Sequence, residues 1–103
     1  MRITIIAVGK VKEKFYRDAI AEFEKRLSKY CKLDIIEVAD EKTPDNASEA
    51  QELIIKSKEG DRILSAVKDD MYVIALAIEG KQLSSTELAD KINKLGISGK
   101  SSI

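Results

Sequence analysis

The sequence predicts an α/β domain, a parallel sheet with alternating helices. Two observations carry that expectation. Short β-branched runs alternate along the 103 residues with stretches whose apolar side chains recur at helical spacing. The stretches between successive runs are long enough for a crossover helix, which calls for right-handed crossovers and parallel strands. The length leaves room for one domain, residues 1–103.

Ile3 to Val8, closed by Gly9, reads as a buried strand. From Lys12 to Tyr30 the period changes: Phe15, Ala19, Phe23 and Leu27 recur every fourth residue, with Tyr16, Ile20 and Tyr30 beside them, giving one wide helical stripe. Leu33 to Val38 is a second strand, and Ala39 to Asn46 is a polar loop holding the only proline, Pro44. Ser48 and Gln51 have capping-box spacing and start a second helix, with Leu53, Ile54, Ile63, Leu64 and Val67 as its apolar side and Gly60 weakening its middle. Tyr72 to Ile78 (YVIALAI) is the most apolar segment and is expected to be the central strand. Ser84 and Glu87 form another capping box, and Leu88, Ala89, Ile92 and Leu95 make a short helix stopped by Gly96. The expected order is β-α-β-α-β-α. A fourth strand is expected to begin where the chain reaches Ile103, so the sequence reads as cut short. Three strands and three helices make a small core.

Composition excludes several chemistries. Without histidine, a Ser-His-Asp triad, a Cys-His pair and a His-ligated zinc are impossible within one chain. Cys31 is the single cysteine, so no internal disulfide or multi-cysteine metal site forms, and a reducing compartment is expected. The apolar run in the opening MRITIIAVGKVKEK is too short for a secretory segment or a membrane span. The expected location is the cytoplasm. Eighteen basic residues balance eighteen acidic ones, which removes a bulk basic field as an argument for nucleic-acid binding. The distribution is uneven: residues 10–32 carry eight basic and four acidic residues, and 33–61 three basic and nine acidic. The first helix is therefore the one place that would welcome an RNA backbone, although i,i+4 pairing on a solvated face accounts for the same pattern.

Ligands of open parallel sheets sit outside the carboxyl ends of the strands. That rule selects Gly9-Lys10, Ala39-Asp40-Glu41 and Glu79-Gly80-Lys81. Gly9-Lys10 lacks the spacing of a phosphate loop and reads as a turn. Asp40, Glu41 and nearby Asp45 would be a carboxylate cluster for magnesium, yet with no other ligands they read as a solvated loop. Cys31 has no accompanying base and reads as a packed small residue. Leu76, on pattern alone, reads as core.

Particular residues say more than their pattern. The opening Met1-Arg-Ile-Thr-Ile-Ile-Ala-Val-Gly-Lys-Val-Lys-Glu-Lys-Phe resembles the start of the ribosomal RNA large subunit methyltransferase H family. Tyr30-Cys-Lys-Leu-Asp-Ile-Ile-Glu-Val-Ala-Asp-Glu-Lys, Lys58-Glu-Gly-Asp-Arg-Ile-Leu and Gly80-Lys-Gln-Leu-Ser-Ser extend the resemblance, in order, along the whole chain. It implies a SPOUT-class fold, a parallel α/β sheet whose C-terminal part is threaded into a trefoil knot. It also implies an enzyme that uses S-adenosylmethionine to methylate N3 of a pseudouridine in 23S ribosomal RNA, acting as a homodimer on the assembled ribosome, with no metal and no membrane.

By the same resemblance, Leu76 matches a leucine that lines the donor pocket. The next position, commonly acidic in the family, is Ala77, so no polar donor contact is expected there. Gly80 and Lys81 match a turn, and no catalytic residue is assigned. The family continues past the equivalent of Ser101-Ser102-Ile103 into a fourth strand, a glycine-rich donor loop and the knot. Residues 1–103 are therefore expected to hold the scaffold without a complete donor site and to be inactive alone. The alternatives are a non-catalytic RNA- or ribosome-binding module using the first helix, and a structural fragment that associates through an uncovered sheet edge.

Overall fold

The computed structural model describes residues 1–103. Two strands, β1 (Arg2–Val8) and β2 (Lys32–Val38), pair in parallel with Arg2 opposite Lys32 and Val8 opposite Val38. The connection between them is α1 (Lys14–Leu27), the expected crossover helix, two residues shorter at its start and three at its end than the apolar period suggests. β2 leads through the polar loop into α2 (Glu49–Ala66), and α3 (Ser85–Ile97) follows.

Local sequence explains the helix starts. Ser48 accepts the Gln51 N–H at 3.2 Å while the Gln51 side chain accepts the Ser48 N–H at 2.9 Å, so the capping box is complete. Ser84 and Glu87 repeat that arrangement at the start of α3, at 3.1 Å in both directions. Each box satisfies two backbone donors that a helix start otherwise leaves without partners. α1 has no such cap: Glu13 precedes it without a side-chain bond. Its cations Lys25 and Arg26 lie in the last turn, where the helix dipole favours positive charge.

Gly96 does not stop α3, as the sequence suggested; the helix runs through it to Ile97. The stop is Gly99, at φ 96°, a left-handed conformation that costs a glycine little. Lys100 N–H reaches back to the Leu95 carbonyl at 2.8 Å and Gly99 N–H to that of Gly96 at 3.1 Å. This is a Schellman closure.

The expected central strand, Tyr72–Ile78, is not a strand. Between Val73 and Ile78 no backbone N–H donates to a backbone carbonyl. The position beside β1 is taken by Ser101–Ile103 instead: Arg2 N–H donates to the Ser101 carbonyl and Thr4 N–H to that of Ile103, both at 2.8 Å, and Ile103 N–H returns to Arg2 at 3.0 Å. Ser102 pairs in parallel with Arg2. On its far side, the Ser102 carbonyl accepts the Tyr72 N–H at 2.9 Å. The apolar segment thus touches the sheet through one bond to a three-residue neighbour, and a ladder cannot form without a facing partner. Ser101–Ile103 lie between β1 and Tyr72 as a single bridge, not as a strand.

Ser102, in that lane, is the only buried residue, at 8% exposure. No hydrophobic side chain is fully buried, and Ile5 and Val8 of β1 stay exposed, so the expected buried first strand is only half covered. α2 packs on both strands, α1 meets the sheet only at β2, and α3 packs on no other helix or strand. No helix is long and apolar enough to cross a membrane.

Candidate functional site

The structure brings together two of the three strand-end loops. Gly9 turns the chain out of β1 at φ 83°, and its N–H donates to the Val38 carbonyl at 2.8 Å. A Cβ on Gly9 would sit 3.9 Å from Asp40, so the first and second loops adjoin. Lys10 then opens onto an apolar groove of about 800 Å³ between α1 and the sheet. Ile20, Phe23 and Leu27 form one wall, and Ile5, Leu33 and Ile35 the other. Arg17, Glu24 and Glu37 supply its charged lining.

Arg62 of α2 organises the second loop. Its guanidinium donates to the Ala39 carbonyl at 3.0 Å and to the Glu41 carboxylate at 2.5 Å. Glu59 accepts the Glu41 N–H at 3.0 Å. Glu41 is therefore held by a guanidinium, and no three Asp, Glu or Cys side chains converge where an ion would need them. Asp40, Glu41 and Asp45 do not form a magnesium cluster. Sequence reading missed Arg62 and Glu59 as loop-holding residues, although both lie in the Lys58–Leu64 block that carries the family resemblance.

The third loop stands apart from that groove. Gly80 N–H closes a turn onto the Ala77 carbonyl at 2.9 Å, and a Cβ on Gly80 would lie only 3.0 Å from the same oxygen. A side chain at this position would have to push the Ala77 carbonyl back by a few tenths of an ångström. Leu76, read as core on pattern and as a donor-pocket residue by resemblance, is 93% exposed and does not line the α1 groove. With Val73 and Ile78 it forms an uncovered apolar edge. Cys31 lies half-buried at the end of α1, its thiol 3.7 Å from the Leu27 carbonyl, in keeping with a packed residue.

The basic first helix is partly neutralised along its own face. Lys14 pairs with Asp18 at 3.0 Å and Arg26 with Glu22 at 3.2 Å. Lys10, Lys12, Arg17, Lys25, Lys29 and Lys32 have no carboxylate within ion-pairing distance. Two groups on α3 have displaced pKa values. The Ser84 N–H, and then its hydroxyl, hold the Glu87 carboxyl below its ordinary value, and the Asp90 carboxylate raises that of Lys94.

Comparison with known proteins places this arrangement. Residues 1–103 match the family described as "Predicted SPOUT methyltransferase". The chain is 65% identical over its whole length to a Bifidobacterium adolescentis protein named "Ribosomal RNA large subunit methyltransferase H". Proteins of the same name from Clostridium novyi and Clostridium tetani are 64% and 60% identical over all 103 residues. The chain spans 65% of the length of each of these relatives. A match along every residue, on a parallel strand pair joined by a crossover helix, shows that this chain belongs to the SPOUT methyltransferase family.

Proposed function

We propose that this chain supplies the scaffold of an enzyme that transfers the methyl group of S-adenosylmethionine to N3 of a pseudouridine in 23S ribosomal RNA. The enzyme acts in the cytoplasm on the assembled ribosome, as a homodimer. The observation that carries the reading is 65% identity, over all 103 residues of this chain, to a protein named for that class of reaction. The absence of histidine fits it. The donor supplies a methyl group already activated on a sulfonium centre, so the protein's main task is to hold two reactants in line.

The residues of the third loop fit such a donor in kind. Leu76 offers an exposed apolar side chain, and Val73–Ile78 offer backbone groups not used in a ladder. Gly80 keeps its turn tight beside them. In this reading Leu76 lines the donor pocket by apolar contact, while Ala77 contributes no charge. Because Leu76 is almost fully exposed, residues 1–103 do not enclose a donor there, and the pocket is completed by other chain segments. A second reading, a non-catalytic RNA-binding module, is favoured by the unpaired cations of the β1–α1 region. It predicts salt-sensitive RNA binding with no methyl incorporation in any context.

The test is a chimera joining these 103 residues to the remaining third of the Bifidobacterium adolescentis relative. It is assayed for transfer of labelled methyl from S-adenosylmethionine to ribosomes that lack the modification. Incorporation into 23S ribosomal RNA is expected from the chimera and none from the 103 residues alone. A folded chimera that incorporates no label overturns the proposal. Incorporation by the 103 residues alone would show that they already form the whole site.

A further inference from the structure

Two independent features meet where the β1–α1 connection enters α1, and the fold uses neither. The first is a pair of aromatic rings in water. Phe15 is 76% exposed and Tyr16 57%, and the rings meet edge to face with centroids 5.2 Å apart. At 100° per residue Phe15 lies about 80° around the helix from Phe23 and about 140° from Ile20, beyond the edge of the wall that faces the sheet. Ile20, Phe23 and Leu27 line that groove, and Phe15 and Tyr16 do not.

The second feature is charge. Lys14 is held by Asp18, but Lys10, Lys12 and Arg17 have no ion-pair partner. Glu13 is then the one acidic residue between positions 10 and 18 without a partner of its own. Open rings flanked by unneutralised cations match the needs of an unpaired nucleotide, whose base stacks on an aromatic face while its phosphates attract positive charge. Duplex RNA keeps its base faces hidden and would use only the cations.

We propose that this corner is an RNA contact in which an unpaired base stacks on the open face of Phe15 and the flanking phosphates lie against Lys10 and Lys12. The proposal rests on the ribosomal RNA methyltransferase reading and adds where the RNA is held and in what state.

The test uses the 103-residue chain and two labelled RNAs, a hairpin with an unpaired loop and a blunt duplex with the same stem, followed by fluorescence anisotropy over a salt series. The hairpin is expected to bind more tightly than the duplex. Phe15→Ala should weaken hairpin binding about tenfold, leave duplex binding unchanged and leave the salt slope intact. Phe15→Tyr, which keeps a ring, should restore binding, and circular dichroism confirms that each variant is folded. Replacing both Lys10 and Lys12 with Ala should lower the salt slope by about 1.4, at ~0.7 for each phosphate left without its cation.

Wild-type hairpin affinity in Phe15→Ala overturns the proposal and leaves the methyltransferase reading standing. So does a change in self-association with RNA binding unaltered, which would assign the rings to a protein contact. No RNA binding by the unaltered chain overturns the surface as well, and methyl incorporation by the chimera then decides the methyltransferase reading separately.

Discussion

Arg62 makes two contacts that join distant parts of the chain. It ties α2 to the loop after β2 through the Ala39 carbonyl and the Glu41 carboxylate, residues 23 and 21 positions away. Both members of the ion pair are partly shielded, with side-chain exposures of 37% and 26%, so the contact should outlast ordinary surface pairing. Arg62→Ala is expected to lower stability by about 1 kcal/mol in urea unfolding. Arg62→Lys should recover only part of it, because a lysine cannot direct two fixed donors at two acceptors. Unchanged stability in Arg62→Ala would show that the loop is held by other means. None of this was legible in the sequence, where Arg62 is one cation among eighteen and its partners are set by the fold. Ser48, Gln51, Ser84 and Glu87 were legible because each cap is complete within four residues.

The same contrast between local and distant causes governs the elements. β1, β2 and all three helices form where periodicity and capping place them, to within a few residues. Tyr72–Ile78 fails as a strand although its composition is the most strand-like in the chain. A strand is defined by its neighbour, and the only neighbour is Ser102 at the level of Tyr72. Leu76 illustrates the consequence: its pattern reads as core, yet without strand pairing it is almost fully exposed, because burial depends on packing that the local sequence does not state.

The caps also make α3 sensitive to pH. Glu87 has its pKa lowered on folding by Ser84, so its contribution is present above its ordinary 4.5 and is lost as pH falls through the lower folded value. Lys94, raised by Asp90, acts in the opposite sense, contributing below its ordinary 10.5 and fading as pH rises through the higher folded value. Amide shifts of Ser84–Leu88 followed by NMR should therefore report fraying of the first turn in acid, and Glu87→Ala should abolish that transition. An acid titration that moves these amides equally in both proteins would contradict the assignment.

The molecule as a whole is loosely closed. Its radius of gyration is 15.9 Å, against about 13 Å for a compact chain of 100 residues. Large apolar side chains on α1 and on the Val73–Ile78 edge remain exposed. Uncovered apolar edges of this kind invite pairing with another strand. The open groove beside α1, the short lane at Ser101–Ile103 and the bare Leu76 leave much of the apolar surface of these residues facing solvent.

Isothermal titration of S-adenosylmethionine tests that account most directly, applied to the chimera with the Bifidobacterium relative and to its Leu76→Ala variant. The account predicts binding in the micromolar range by the chimera and about tenfold weaker binding, ~1.4 kcal/mol, by the variant. A folded chimera that takes up no donor, or a variant that binds it as tightly as the parent, would contradict it.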